Sequence, residues 1–421
     1  MTKTGLLFHI LVICCIWHHG AAAQVATRAE QIQQERRQRV PQLKPDDVTR
    51  TEAFLRWLHD DKILARVGAG FNGLRAKMGG MVTGGGFGAG PEYFREDLFS
   101  GRLSFRAAAQ TSTRGYNRFE VETVAPRLAQ NRFFVSSRAV HHNYSGLPYY
   151  GPGPDSAKTG RTNYRFEDVS VDGFAGVQPL RALRLGASAG YTTINVGPGR
   201  DNRYASTDVT YTAATVPGLD RQTDFVRYGP FVELDFRDDK LGPRDGGRYL
   251  FQQTWYDDRG LNRYSFRRMD IDLEQYIGLF NHRRVFALRA HSVLTDTDAG
   301  RLVPFYLQPD LGGSENLRGF RPFRFRDNNL LVMNGEYRWE TFSGLDMALF
   351  ADAGKVFARR SQLNFHGLES SVGFGFRFNA RNRTFLRLDV GFSHEGYQIW
   401  LKFNDHFAPR PLGTSGTHPV L

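Results

Sequence analysis

Three short runs hold the side chains that could act together. Arg318 lies in Leu311-Gly312-Gly313-Ser314-Glu315-Asn316-Leu317-Arg318-Gly319-Phe320, Glu336 in Asn334-Gly335-Glu336-Tyr337-Arg338, and Asp352 in Phe350-Ala351-Asp352-Ala353-Gly354. The chemistry they offer is ion pairing rather than catalysis. A guanidinium is a planar fork of donors that two carboxylates can share. Either carboxylate, left alone in a dry interior, would be costly. Gly312, Gly313 and Gly319 let the first run turn tightly and approach a wall closely.

Other constellations carry less. Gly186-Ala187-Ser188-Ala189-Gly190 matches a nucleophile elbow by its letters. An elbow needs a strand turning into a helix, and Tyr191-Thr192-Thr193-Ile194 continues as strand. Adjacent His141 and His142 would point to opposite faces of a strand, which argues against one shared metal. The Gly-rich stretch Gly79 to Gly90 has no Gly-Lys-Ser/Thr after it, so a phosphate loop is excluded. Asp270 and Asp272 share a face without a nucleophile, and charge balance is their reading. The sequence calls for no catalytic residue, no metal and no cofactor.

The elements that must position Arg318, Glu336 and Asp352 are strands. From about residue 67 the pattern has period two. In Phe231 to Arg237, Val232, Leu234 and Phe236 oppose Glu233, Asp235 and Arg237. Met269, Ile271 and Leu273 oppose Asp270, Asp272 and Glu274, and Leu386, Leu388, Val390 and Phe392 oppose Arg387, Asp389 and Gly391. By the same parity Glu336 points inward with Asn334 and Arg338, away from Met333, Tyr337 and Trp339. Asp352 points inward with Asp346 and Gly354, away from Met347 and Leu349. Carboxylate and arginine ladders on nearly every strand suit a barrel lumen, where charges pair across strands. Segments near ten residues suit a tilted membrane strand better than a soluble one.

The fold class is therefore all-β: a transmembrane antiparallel β-barrel of about sixteen strands, with a short N-terminal helical periplasmic segment. The strands are expected to start near residues 72, 101, 116, 131, 163, 183, 222, 247, 263, 284, 302, 329, 345, 370, 384 and 398. An even number keeps both termini in the periplasm. The turn Asn379 to Asn382 should be periplasmic, and the loops Tyr144 to Thr162 and Gln308 to Asn328 external. For Gly79 to Gly90 two readings stand: a weakened first strand, or a Gly-rich first loop beyond an ordinary strand.

Composition agrees. The chain carries 34 Phe, 17 Tyr and 45 Gly, the bias that aromatic girdles and tight turns produce. Its mean hydropathy of -0.44 looks like that of a soluble protein, yet it does not exclude a membrane barrel, whose lipid and lumen faces average out. The net charge of +12 is spread along strands and loops with acids interleaved, which argues against nucleic acid.

At the N-terminus, Lys3, the apolar run Gly5 to Trp17 and Ala21-Ala22-Ala23 read as a cleavable signal peptide over 1–23. The other reading of this segment is a membrane anchor. Cys14 and Cys15 both fall inside it, leaving none in the mature chain. Residues 24–66 are expected as a partly helical periplasmic segment, capped at Asp46 or Asp47, or else as a partly ordered tail. The barrel takes 67–407, and 408–421 reads as a disordered tail.

With these motifs in this order, the chain resembles the BamA/TamA-type outer-membrane assembly superfamily, also called bacterial surface antigens. The resemblance covers roughly 67–407. It implies a sixteen-stranded barrel whose sixth external loop folds into the lumen, its Arg-Gly-Phe tip (Arg318, Gly319, Phe320) meeting Glu336 and Asp352. Asp235-Phe236-Arg237-Asp238, followed by Pro243 and Gly246-Gly247, resembles the family's strand and turn signature. The last strand, Gln398 to Phe407, with Phe403 and Phe407, resembles the terminal signal read by barrel-insertion machinery. The resemblance further implies a seam between first and last strands that can open sideways. One departure concerns POTRA domains: about forty residues ahead of the barrel cannot hold one such α/β module. The implied function is insertion or translocation of protein or lipid at the bacterial outer membrane. The alternatives are a pore for ions or small solutes and a structural surface antigen. Expected partners are outer-membrane lipid, a client outer-membrane or secreted protein, and the cell's own barrel assembly machinery. The barrel is expected to act as a single chain.

Overall fold

The computed structural model describes residues 71–79, 81–130, 132–380, 383–403 and 406. The expected signal peptide, the segment 24–66, Phe407 and the tail 408–421 lie outside the described residues.

Period-two segments pair as antiparallel strands in chain order. They are β1 (Leu74–Gly79), β2 (Gly88–Asp97), β3 (Leu103–Ser112), β4 (Asn117–Leu128), β5 (Phe133–Tyr149), β6 (Thr162–Leu180), β7 (Leu183–Pro198), β8 (Phe225–Asp235), β9 (Gly246–Asp258), β10 (Phe266–Leu279) and β11 (Arg284–Asp296). A long loop, 297–328, follows and contains its own pair, β12 (Asp310–Leu311) with β13 (Phe325–Arg326). The wall resumes with β14 (Asn329–Phe342), β15 (Leu345–Phe357), β16 (Glu369–Ala380), β17 (Arg383–Ser393) and β18 (Gly396–Lys402). Sixteen strands make one sheet, with β1 and β18 at its two ends. The longest loops, 199–224 and 297–328, lie at one end of the barrel, and most connections at the other end are short turns. The loop 297–328 is the sixth at the long-loop end. Strands β5, β6 and β7 run 17, 19 and 16 residues, beyond the roughly ten a tilted strand needs to cross hydrocarbon.

The packing is inverted relative to a soluble protein. Arg248, Arg268, Arg318, Arg326, Arg377 and Arg387 are among the largest fully buried side chains. Leu349, Val372, Ile399 and Leu401 are more than half exposed on the outer face. Only a lipid-facing wall around a charged lumen reconciles the two. Among the described residues no helix is long and apolar enough to cross a membrane, which says nothing against crossing by strands.

The count of sixteen holds, but one expected strand is not found and one that was not expected takes its place. No barrel strand starts near 302. Val303, Phe305, Tyr306 and Leu307 are buried in an aromatic cluster at the long-loop end, around a 3-10 turn at Phe305–Leu307. Pro304 breaks the alternation there. The strand the count missed is β2. Its Gly88-Ala89-Gly90-Pro91 start hides the pattern, and its ladder to β3 is interrupted between Ala89 and Glu92. A side chain at Gly90 would run into the Ala109 backbone. Of the two readings of Gly79 to Gly90, the Gly-rich loop is the one found, since the run spans the β1–β2 connection. Two boundaries also move: β5 continues through Tyr149, and β18 ends at Lys402.

Among the described residues no ladder hydrogen bond joins β1 to β18. The edges meet instead through side chains. The Phe87 and Phe403 rings lie 5.5 Å apart, and a Cβ at Gly79 would sit 3.3 Å from that of Phe403.

A charge on the lipid face should be costly. We expect Leu349→Arg to destabilise the barrel by about 2–4 kcal/mol, as arginine does near a bilayer midplane. Equilibrium unfolding in lipid vesicles measures it. A cost under about 0.5 kcal/mol, typical of water-facing substitutions, would refute the lipid-facing assignment.

Candidate functional site

The tip of the sixth loop is built by local turns. Gly312 and Gly313 take φ of +115° and +105°, which other residues reach only with strain. Asn316 ties the turn together: its Oδ1 accepts from the backbone N–H of Gly312 and Leu317, both at 2.8 Å, and its Nδ2 donates to the Asp310 carbonyl. Leu311, Leu317 and Phe320 then bury themselves with Phe325 against Val293, Leu330, Val332 and Val356 of the wall. The tip is thus a small apolar core that delivers one arginine into the lumen.

Arg318 is fully buried. Its Nε and Nη2 donate to the Asp352 carboxylate at 2.9 and 2.7 Å, and its Nη1 donates to Glu336 at 2.7 Å. Its backbone N–H also donates to Asp352. The guanidinium lies 3.4 Å from the centre of the Phe350 ring, a cation–π contact in the same Phe-Ala-Asp run. The Trp400 indole of β18 donates to the Arg318 carbonyl at 2.7 Å. Gly319 sits against β16 and β17: a Cβ there would be 2.6 Å from that of Ser371 and 2.7 Å from the Phe392 carbonyl. Gly391 faces it, with room for nothing beyond hydrogen against the Arg318 carbonyl. Phe320 packs edge-on to Phe325 and His394.

The network extends past the three side chains read from sequence. Glu336 also accepts from Arg338 Nε at 2.7 Å and from Arg377 Nε and Nη2 at 3.0 and 2.9 Å. Arg377 reaches Asp389, which pairs with Arg387. Arg387 returns to the loop, donating to the Ser314 carbonyl and to Glu315. Asn334 and Ser371 complete the shell of Asp352. Inward parity marked Arg338, Arg387 and Asp389 as lumenal. Which cations meet which anions depends on register between strands, and no single-strand pattern carries that.

The remaining expected residues sit elsewhere. Asp235 holds Arg237 in a two-point pair at 2.8 and 3.0 Å. Asp238 Oδ1 accepts from the backbone N–H of Asp239, Arg244 and Asp245. These residues shape the β8–β9 turn at the short-turn end and are not part of the Arg318 network. Phe403 lines the β1–β18 edge. His141 and His142 do point to opposite faces: His142 is buried against Asp168, while His141 stacks on the outward Phe119. Asp272 pairs with Arg289. Gly186 to Gly190 lies within β7. Among the described residues no group of His, Cys, Asp and Glu could hold a metal.

Chemically, the carboxylates of the site are taken up by guanidinium groups. What it can do is hold a loop inside a barrel.

Comparison with known proteins agrees with this architecture. The Omp85 superfamily domain matches residues 99–404. Among solved structures, the chain is similar to BamA from Haemophilus ducreyi lacking POTRA domains 1-3, at 13% identity and a TM-score of 0.57 over 79% of this chain and 69% of that one. It is also similar to CdiB from Escherichia coli, at 14% identity and a TM-score of 0.52 over 79% of this chain and 61% of that one. At such identities the likeness is one of fold. No curated protein matches the chain.

Removing the arginine should leave Asp352 buried with only neutral donors. Breaking one side of a buried pair costs about 3–5 kcal/mol. We expect Arg318→Ala to lose that much stability and to expose the loop 297–328 to protease. Arg318→Lys should recover less than half, because an ammonium lacks the fork. Limited proteolysis of the folded barrel decides it: a loop as resistant as in the parent chain would show that the arginine does not hold it.

Proposed function

Because this chain belongs to the Omp85 superfamily, we propose that it inserts a client protein into the outer membrane, or passes one across it. Arg318, Glu336 and Asp352 hold the sixth loop in the lumen while it does so. No bound nucleotide and no enzymatic step enter this reading. In this reading the chain is exported by a signal peptide cleaved after residue 23 and works as a single barrel. BamA and CdiB are the relatives in fold that lend the reading its direction.

The observation that carries the proposal is the seam. A barrel that only encloses a channel gains from pairing every strand edge, since unpaired backbone groups in hydrocarbon cost several kcal/mol each. Here β1 and β18 are the two ends of the sheet, touching through Phe87, Gly79 and Phe403 without a ladder among the described residues. Such an edge can accept a strand from another chain.

The pore reading is less well supported. At the long-loop end, Tyr144, Tyr149, Tyr164, Phe305, Tyr306 and Phe323 belong to one buried cluster joining strands to the sixth loop. Burial pushes the Tyr306 hydroxyl well above the ordinary phenol range. A standing aqueous channel needs wetter walls than these.

Two measurements test the proposal. The outer-membrane protein inventory of a deletion strain, set against its parent, should show selective loss of one or a few proteins. An unchanged inventory would overturn client handling and favour the pore. Second, the pair Gly79→Cys and Phe403→Cys can tether the seam, because a Cβ–Cβ distance near 3.3 Å is close to the roughly 3.5–4.5 Å of a disulfide. The oxidised variant should lose client handling and the reduced one regain it. Equal function in both states would mean that the seam stays shut.

A further inference from the structure

The short-turn end carries a concave basic site that the loop network does not use. Three turns and their flanking strand ends enclose a cavity of about 680 Å³. It is lined by Arg132, Arg181, Arg184 and Lys240, with Pro126, Gln130, Gln178, Pro179 and Leu180 around them. No carboxylate lines it. Arg132 and Arg181 are exposed and, among the described residues, have no ion-pair partner within 4 Å. Arg184 reaches Glu233, but Glu233 is already held by Arg248. Lys240 lies 3.8 Å from Asp235, which Arg237 already grips at two points. The carboxylates nearest the cavity are thus committed, and the four cations leave it positive.

Parity says what reaches it. Arg132 shares its strand face with buried Phe134, Gln178 with buried Phe174, and Arg184 with inward Gly186 and Ser188. Pro126 continues the inward face of Glu120. The cavity therefore opens to the lumen mouth rather than to the lipid side of the wall, and a bilayer headgroup is the wrong occupant. Pro126, Pro179 and Leu180 add apolar surface to the lining, with Leu180 well exposed. A lining of cations mixed with apolar side chains fits a chain that alternates carboxylates with apolar side chains.

We propose that this mouth docks an acidic, partly apolar peptide segment of a partner protein on the short-turn side of the membrane. Arg132 and Arg181 are its principal contacts, while Leu180 and the two prolines take the apolar side chains. The site is separate from the loop lock. Binding here can be read on the purified barrel whether or not that barrel inserts or exports a client.

The test uses the folded full-length chain in detergent micelles. The probe is a fluorescein-labelled twelve-residue peptide of alternating Glu and Leu, with Gln replacing Glu in the comparison peptide. Arg132→Glu with Arg181→Glu reverses two exposed turn charges that no fold contact needs. Arg221→Glu with Arg259→Glu does the same on the long-loop end. We expect the acidic peptide to bind and its Kd to rise about tenfold in the short-end variant, within what two surface cations contribute. The long-end variant should match the parent. Binding should weaken as salt shortens the screening length. A photo-crosslinking residue at Gln130 should capture the acidic peptide. Equal binding of the Gln peptide, an unchanged Kd in the short-end variant, or an absence of binding would each overturn the proposal.

Discussion

Glu336 sits among three guanidinium groups, and the interior of this side of the barrel is arranged around it. One arginine comes from the loop, one from its own strand and one from β16. A carboxylate taken out of water must recover several kcal/mol, and three charge-assisted partners do that where one would not. Two of these arginines also hold a second anion. Arg318 finds Asp352, and Arg377 finds Asp389, which in turn steadies Arg387. Arg318, Arg338, Arg377 and Arg387, with Lys402 beside Glu315, thus face Glu315, Glu336, Asp352 and Asp389. In such a chain of shared partners the contributions do not add, and each deletion unsettles its neighbours.

That electrostatic requirement dictates small residues where the loop meets the wall. A guanidinium can lie flat between Asp352 and Glu336 only if its backbone comes within touching distance of β16 and β17. Gly319 and Gly391 supply that approach from the two sides, and Phe350 closes the remaining face. The apolar core of Leu311, Leu317, Phe320 and Phe325 excludes water from above. Removing water strengthens every ion pair beneath.

How much of this was legible in the sequence follows from which forces act along one chain. Side-chain parity is a property of a single strand, so the inward set around Glu336 and Asp352 could be read directly, as could the outward Leu349. The loop tip was legible for a different reason: Arg318-Gly319-Phe320 and its spacing to Glu336 and Asp352 repeat a family's order. Strand β2 was not legible, because Gly90 and Pro91 answer to close packing against Ala109 and to an interrupted ladder rather than to lipid. Val303 to Leu307 misled for the opposite reason, being apolar for the sake of a loop core. The roles of Arg377, Arg387 and Trp400 are set by neighbours dozens of residues away, and only the assembled sheet brings them into register.

The sixth loop touches both edges of the seam, but unequally. Toward β18 and β17 it is tied by the Trp400 indole on the Arg318 carbonyl, by Ser393 on the Gly319 carbonyl and by Arg387 on Ser314 and Glu315. Toward the β1–β2 connection it offers one hydroxyl pair, Thr83 with Ser314 at 3.2 Å, the close approaches of Gly313 to Thr83 and of Pro322 to Gly84, and a shared buried apolar cluster with Met81 and Val82. A neutral hydrogen bond nets about 1 kcal/mol, whereas freeing a buried ion pair costs about 3–5 kcal/mol. If the seam parts as the proposed function requires, the weak contacts yield first and the loop stays with β14 to β18. The lock and the seam are then not rivals: fixing the loop to one edge leaves the other edge, with its Gly-rich turn and short β1, as the part of the wall that can move.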